Sequence, residues 1–96
     1  MKITVSARHF EATEKLKEFA LAEIFRLKKY FDGVLNGEVI LEENGHNNHQ
    51  AEIRISMLGH TLTSKVEGTD FYKMIPKAVD KIETQLKSTK AKATQR

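Results

Sequence analysis

A chain of 96 residues with 40% apolar content, five Phe, no Cys and no Trp has room for one two-layer core and not for a second. Disulfides and thiolate chemistry are excluded, no stretch approaches the ~18 apolar residues of a membrane helix, and the alternating start "MKITVSARHF" lacks the apolar run of a secretory signal. Sixteen Lys and Arg against thirteen Asp and Glu give +3, distributed unevenly: +3 over residues 1–31, −5 over 32–72 and +5 over 73–96. These features predict a cytoplasmic domain whose two basic ends attract a polyanionic partner.

"KITVSA" (Lys2–Ala7) alternates Ile3, Val5 and Ala7 with polar residues, the pattern of a half-buried strand. Thr13 then offers an N-cap oxygen, with Glu11 and Glu14 beside the positive end of a helix dipole. Leu16, Phe19, Ala20, Ile24, Leu27 and Phe31 recur at three- and four-residue intervals, so the spacing predicts one amphipathic helix over Thr13–Phe31, ended by "DG". A second strand is predicted at Gly37–Glu43, a third at Gln50–Met57 and a fourth at Thr61–Glu67. The polar turn "NGHNNH" separates the second and third, and the short "LGH" link makes the third and fourth a hairpin.

The final helix starts after Gly68 with Thr69 or Asp70 as cap, and buries Phe71, Ile75, Ala78, Val79, Ile82 and Leu86. Pro76 sits inside it, where a regular helix loses ~3 kcal/mol. Either the helix kinks there or it begins at the proline. The arc that Phe71 and Ile75 share with Val79 and Ile82 favours a continuous, kinked helix. Beyond Leu86 the apolar residues stop, so residues 1–88 are read as the domain and 89–96 as a polar, frayed tail.

The order β-α-β-β-β-α predicts an α+β two-layer sandwich, a four-stranded sheet with both helices on one face. The outer helix surfaces would then be neighbours. Lys15, Arg26 and Lys29 fall within about 60° of each other on the first helix, with Lys17 and Lys28 on its other flank. Lys77 and Lys81 share the outward side of the last helix with Thr84 and Ser88. The acidic residues are expected on the sheet side. Such a basic plate suits phosphates, because each one neutralised releases counterions without regard to sequence. Phe25 lies opposite the buried arc of the first helix, where it is either a stacking contact or an isolated exposed apolar residue, and Tyr30 and Tyr72 are read as core-edge residues.

"SARHFEATEKLKEF", "RLKKYFD", "AEIRI" and "EGTDFYKMIPKAVDKIETQL", in this order and spacing over residues 2–87, resemble the short form of the bacterial ribosome hibernation promoting factors, related to the ribosome-associated inhibitor called protein Y. The resemblance implies a fold akin to double-stranded RNA-binding domains. It implies a translation inhibitor that binds the small ribosomal subunit and its rRNA in the channel used by mRNA and tRNA, in idle or stressed cells, by steric exclusion. Matched basic positions are Arg8, Arg26, Lys29 and Lys81, with Lys28 and Lys77 beside them; Lys15 and Lys87 complete the candidate rRNA-binding set. Glu23 and Thr84 stand where relatives often carry a basic residue, and Pro76 where they carry a non-proline. The resemblance leaves two modes open: silencing single ribosomes, or pairing them with the help of a second factor.

No cofactor, small-molecule substrate or membrane is expected as a partner. His46 and His49 lie in an Asn-rich turn with no carboxylate placed to complete a metal site, and no phosphate loop or nucleophile motif is present. Glu42 and Glu43 are adjacent and, on a strand, face opposite sides, so they cannot work as an acid/base pair. Catalysis is therefore not expected. The competing reading is a generic double-stranded RNA-binding module, which would bind any long duplex. A protein-interaction domain would need an apolar patch on the sheet's outer face, and Glu52, Arg54, Ser56, Thr61, Thr63 and Lys65 do not supply one.

Overall fold

Four strands, β1 (Lys2–Arg8), β2 (Val34–Glu43), β3 (His49–Met57) and β4 (His60–Gly68), form one sheet in the order β1-β2-β3-β4. β1 and β2 are parallel; the other two pairings are antiparallel. Two helices, α1 (Glu14–Ile24) and α2 (Phe71–Thr94), complete the predicted order, with a 3₁₀ segment over Phe25–Tyr30 after α1. The computed structural model describes residues 2–30, 32–45 and 48–94, and side chains up to residue 88.

Register converts the two-residue periodicity of each strand into one apolar face. Ile3, Gly37, Ile55 and Leu62 form one row across the sheet, Val5, Val39, Ile53 and Ser64 the next, and Ala7, Leu41, Ala51 and Val66 the third. Both helices cover this face with Leu16, Ala20, Ile24 and Leu27 from one side and Met74, Ile75, Ala78, Val79, Ile82 and Leu86 from the other. Each Ile that this closes off from water contributes about 1.5–3 kcal/mol of transfer free energy. Gly37 is needed where α1 crosses. A Cβ there would stand 3.0 Å from Ile3 Cδ1 and 3.1 Å from Ile55 Cδ1.

β2 begins at Val34 rather than Gly37, because a register shift between Val34 and Asn36 interrupts the alternation that marks a strand in sequence. The predicted helix Thr13–Phe31 is also corrected. Thr13 is the N-cap, its hydroxyl accepting from Leu16 N at 3.1 Å, but the α-helix stops at Ile24 and tightens to 3₁₀ geometry. With three residues per turn, Ile24, Leu27 and Tyr30 fall in one row, two of them fully buried and the third packed at the core edge. Those spacings fit either helix type, so periodicity alone did not separate them. Phe31, the predicted last residue, lies outside the described residues.

α2 is one helix with Pro76 inside it. Asp70 caps it: its carboxylate accepts from Tyr72 N at 2.9 Å and its carbonyl from Lys73 N and Met74 N at 3.0 Å. Ser64, buried on β4, donates to the Ala78 carbonyl at 2.9 Å and ties the helix to the sheet. The backbone helix runs to Thr94, past the point where the predicted tail begins. Loss of apolar periodicity does not by itself end a helix, because Lys and Ala remain good helix formers. Gln95 and Arg96 lie outside the described residues.

Candidate nucleic-acid interface

The outward surface of the two helices is divided by a seam. Phe19 of α1 packs on Tyr72 of α2, with ring centroids 4.9 Å apart. Further along, Arg26 donates to Glu23 at 2.7 Å and to Asp80 at 3.0 Å, and Lys29 lies 3.9 Å from Glu83. The 3₁₀ geometry explains this match. It eclipses Arg26 and Lys29, three residues apart, and sets them against Asp80 and Glu83, also three apart on α2. The hydrogen bond that Arg26 donates to Glu23, and then the one it donates to Asp80, raise the Arg26 pKa further, so its charge is fixed. Two carboxylates against one guanidinium leave this cluster at −1.

The eight predicted contact residues therefore separate. Lys15, Lys28, Lys77 and Lys87 are exposed helix side chains with no ion pair or hydrogen bond among the described residues. Arg26 and Lys29 are on the same surface but neutralised by acids. Lys81 turns aside: its ammonium donates to the Lys65 carbonyl at 3.3 Å, next to Gln85, which donates to the Thr63 carbonyl at 2.9 Å. These two α2 side chains cap outward carbonyls of β4, an edge strand. Arg8 is not brought to the helices. Alternation along β1 turns it to the opposite sheet face, 3.9 Å from Glu42.

Sequence reasoning missed Lys73, an exposed lysine with no ion pair or hydrogen bond among the described residues, four residues before Lys77 on the same side of α2. That spacing was a signal available in the sequence. It also missed that Asp80 and Glu83 face α1, for which no local signal exists. The expectation of an acidic sheet side is corrected too. On the open face Lys2, Arg8, Arg54 and Lys65 interleave with Glu38, Glu42, Glu52 and Glu67, so charges balance. Arg54 donates to the nearly buried Glu52 at 2.8 Å, which raises the Arg54 pKa.

The remaining polar candidates sit at the far end of the sheet. Glu43 lines a shallow cleft with His9, Asn44 and Gly45. The His49 ring stacks on Phe71, with centroids 4.9 Å apart, and Phe10 stacks on Phe71 at 5.2 Å. This packing fastens the start of α2. His46 lies outside the described residues. Among those residues, no group of three His, Cys, Asp or Glu side chains is placed to hold a metal ion, and no helix is long and apolar enough to cross a membrane.

The sequence model of the family described as "Sigma 54 modulation protein / S30EA ribosomal protein" matches residues 3–94. The chain belongs to that family. Its relatives include the ribosome hibernation promoting factor of Acidithiobacillus ferridurans, 32% identical over 74 residues, which span 75% of this chain and 95% of that one. The ribosome hibernation promoting factor of Escherichia coli (strain K12) is 30% identical over 95 residues, 99% of each chain. The crystal structure of the Thermus thermophilus Protein Y N-terminal domain superposes with a TM-score of 0.81 at 32% identity, covering 93% of this chain and 99% of that one. The resemblance drawn from four motifs and the predicted two-layer fold both hold. Glu23 and Thr84 of this chain both make local hydrogen bonds. Glu23 holds Arg26, and the Thr84 hydroxyl donates to the Asp80 carbonyl at 3.1 Å.

Proposed function

We propose that this protein is a ribosome hibernation factor. It binds the small ribosomal subunit through rRNA phosphates and inhibits translation in idle or stressed cells by occupying the mRNA and tRNA decoding channel. The observation that carries the reading is the set of exposed helix lysines, Lys15, Lys28, Lys73, Lys77 and Lys87, which have no ion pair or hydrogen bond among the described residues. The names of its relatives supply the ribosome as partner. Mobile ammonium groups without internal partners bind phosphate by releasing counterions, so binding weakens steeply as salt rises. Occupying a channel requires no chemistry, and the two helices packed side by side on one sheet face present the cations together. Arg26 and Lys29 contribute through the donors their carboxylate partners leave free, and Lys81 and Arg8 stand outside the main contact.

Co-sedimentation with purified small subunits over a salt series, with excess RNA duplex as competitor, tests this. Binding that survives the duplex and falls with salt supports the decoding-channel reading. Binding abolished by the duplex assigns a general double-stranded RNA module in its place.

A further inference from the structure

Pro76 breaks a local rule. It is the sixth residue of α2, beyond the first turn where proline is harmless, so the Tyr72 carbonyl loses its helical donor. A rule broken without local compensation is expected where a site demands it. Pro76 lies four residues after Tyr72 and four before Asp80, both of which reach α1 or the 3₁₀ segment, so it occupies the seam between them. Across the seam, Ala22 is three residues from Phe19 and four from Arg26, is exposed, and is too small to cover the proline. Helical spacing and the Phe19–Tyr72 contact thus set Phe19, Tyr72, Pro76 and Ala22 along one apolar strip of the seam, with Tyr72 41% exposed. Lys15, one turn before Phe19, and Lys73 and Lys77, each following a strip residue, frame it with positive charge that has no acidic partner among the described residues.

Resting on the RNA-binding reading above, we infer that this strip is a stacking platform for unpaired bases, so the RNA it takes is single-stranded or locally unstacked rather than continuous duplex. A base has a π-face that Tyr72 and the Pro76 ring can cover, while its flanking phosphates reach the framing lysines. A duplex presents only its backbone and groove to a convex helix pair, and leaves the strip unfilled. Beyond Pro76 the seam is closed by the Arg26–Asp80 and Lys29–Glu83 pairs, which confines stacking to its first half.

The test uses the full chain with a labelled short oligoadenylate and an RNA duplex of the same length. The chain has two Tyr and no Trp, so in a Y30F background Tyr72 is the one tyrosine, and excitation at ~280 nm, where phenylalanine does not absorb, isolates its emission. Quenching of its emission on oligoadenylate binding is expected, with weaker affinity for the duplex. Tyr72→Leu should weaken oligoadenylate binding about ten-fold and Tyr72→Phe should not, because the ring is what stacks. The quenching measurement needs no substitution in the strip, so it stands even if Tyr72→Leu disturbs folding. Unchanged Tyr72 emission at saturation, or duplex binding as tight as single strand, overturns the stacking platform. Lys77→Glu separates the two levels. If it weakens binding while Tyr72 is silent, only the platform falls. If it leaves binding unchanged, the phosphate-binding reading falls with it.

Discussion

The Arg26 guanidinium stands 3.0 Å from the Asp80 carboxylate and joins the 3₁₀ segment to α2 across 54 residues of sequence. This contact sets how much of the helix surface's positive charge is available to a partner. An exposed pair of this kind contributes little to stability, ~0–1 kcal/mol, yet it places a negative charge where phosphate would approach.

Asp80→Asn should therefore tighten binding to small subunits or to RNA by a few-fold at low salt, and the gain should shrink as salt rises. Urea unfolding should shift by less than ~1 kcal/mol. Weaker binding by the variant in the salt-resolved co-sedimentation would mean that Asp80 presents Arg26 instead of restraining it.

Lys77 and Lys81 were equivalent in sequence and are not equivalent in space. Lys77→Glu should lower small-subunit binding several-fold with stability within ~0.5 kcal/mol of the parent. Lys81→Glu should lower binding less, since that ammonium is directed to the Lys65 carbonyl. Equal losses, measured side by side, would count against an edge-capping role for Lys81.

Pro76→Ala restores the donor to the Tyr72 carbonyl and removes a ring clash inside a continuous helix. Stability should rise by about 1–3 kcal/mol, read as a higher urea midpoint at unchanged m. A fall would indicate that packing of the half-buried ring outweighs the helix penalty.

Gly37→Val places branched methyls against Ile3 and Ile55 in a row with no spare volume. Overpacking should cost about 1–3 kcal/mol even though valine favours strands. Thermal unfolding by circular dichroism measures it, and a neutral result would show that α1 can lift away from β2 without penalty.

The strand faces, the Thr13 cap and the hairpin were legible because each rests on residues a few positions apart. Alternation alone assigned Ile53 and Ile55 to the core and Arg54 to water. The same local logic failed at Val34–Asn36, where a register shift interrupts the period, and at Ile24–Tyr30, where α and 3₁₀ spacings are both satisfied by the same apolar residues. Arg8 entered the candidate rRNA-binding set by resemblance alone, and β1's alternation sets it on the sheet face opposite the helices.

By itself the sequence determined the order of elements, the two core-facing helix arcs and the family, since periodicity, caps and motifs are properties of neighbouring residues. Only the tertiary structure decided which cations remain free. Lys29 and Glu83, Arg26 and Asp80, and Lys81 and the Lys65 carbonyl meet because two helices and an edge strand pack at fixed offsets. Coulombic attraction depends on distance in space, and no periodicity along the chain encodes the distance between elements that the chain brings together only on folding.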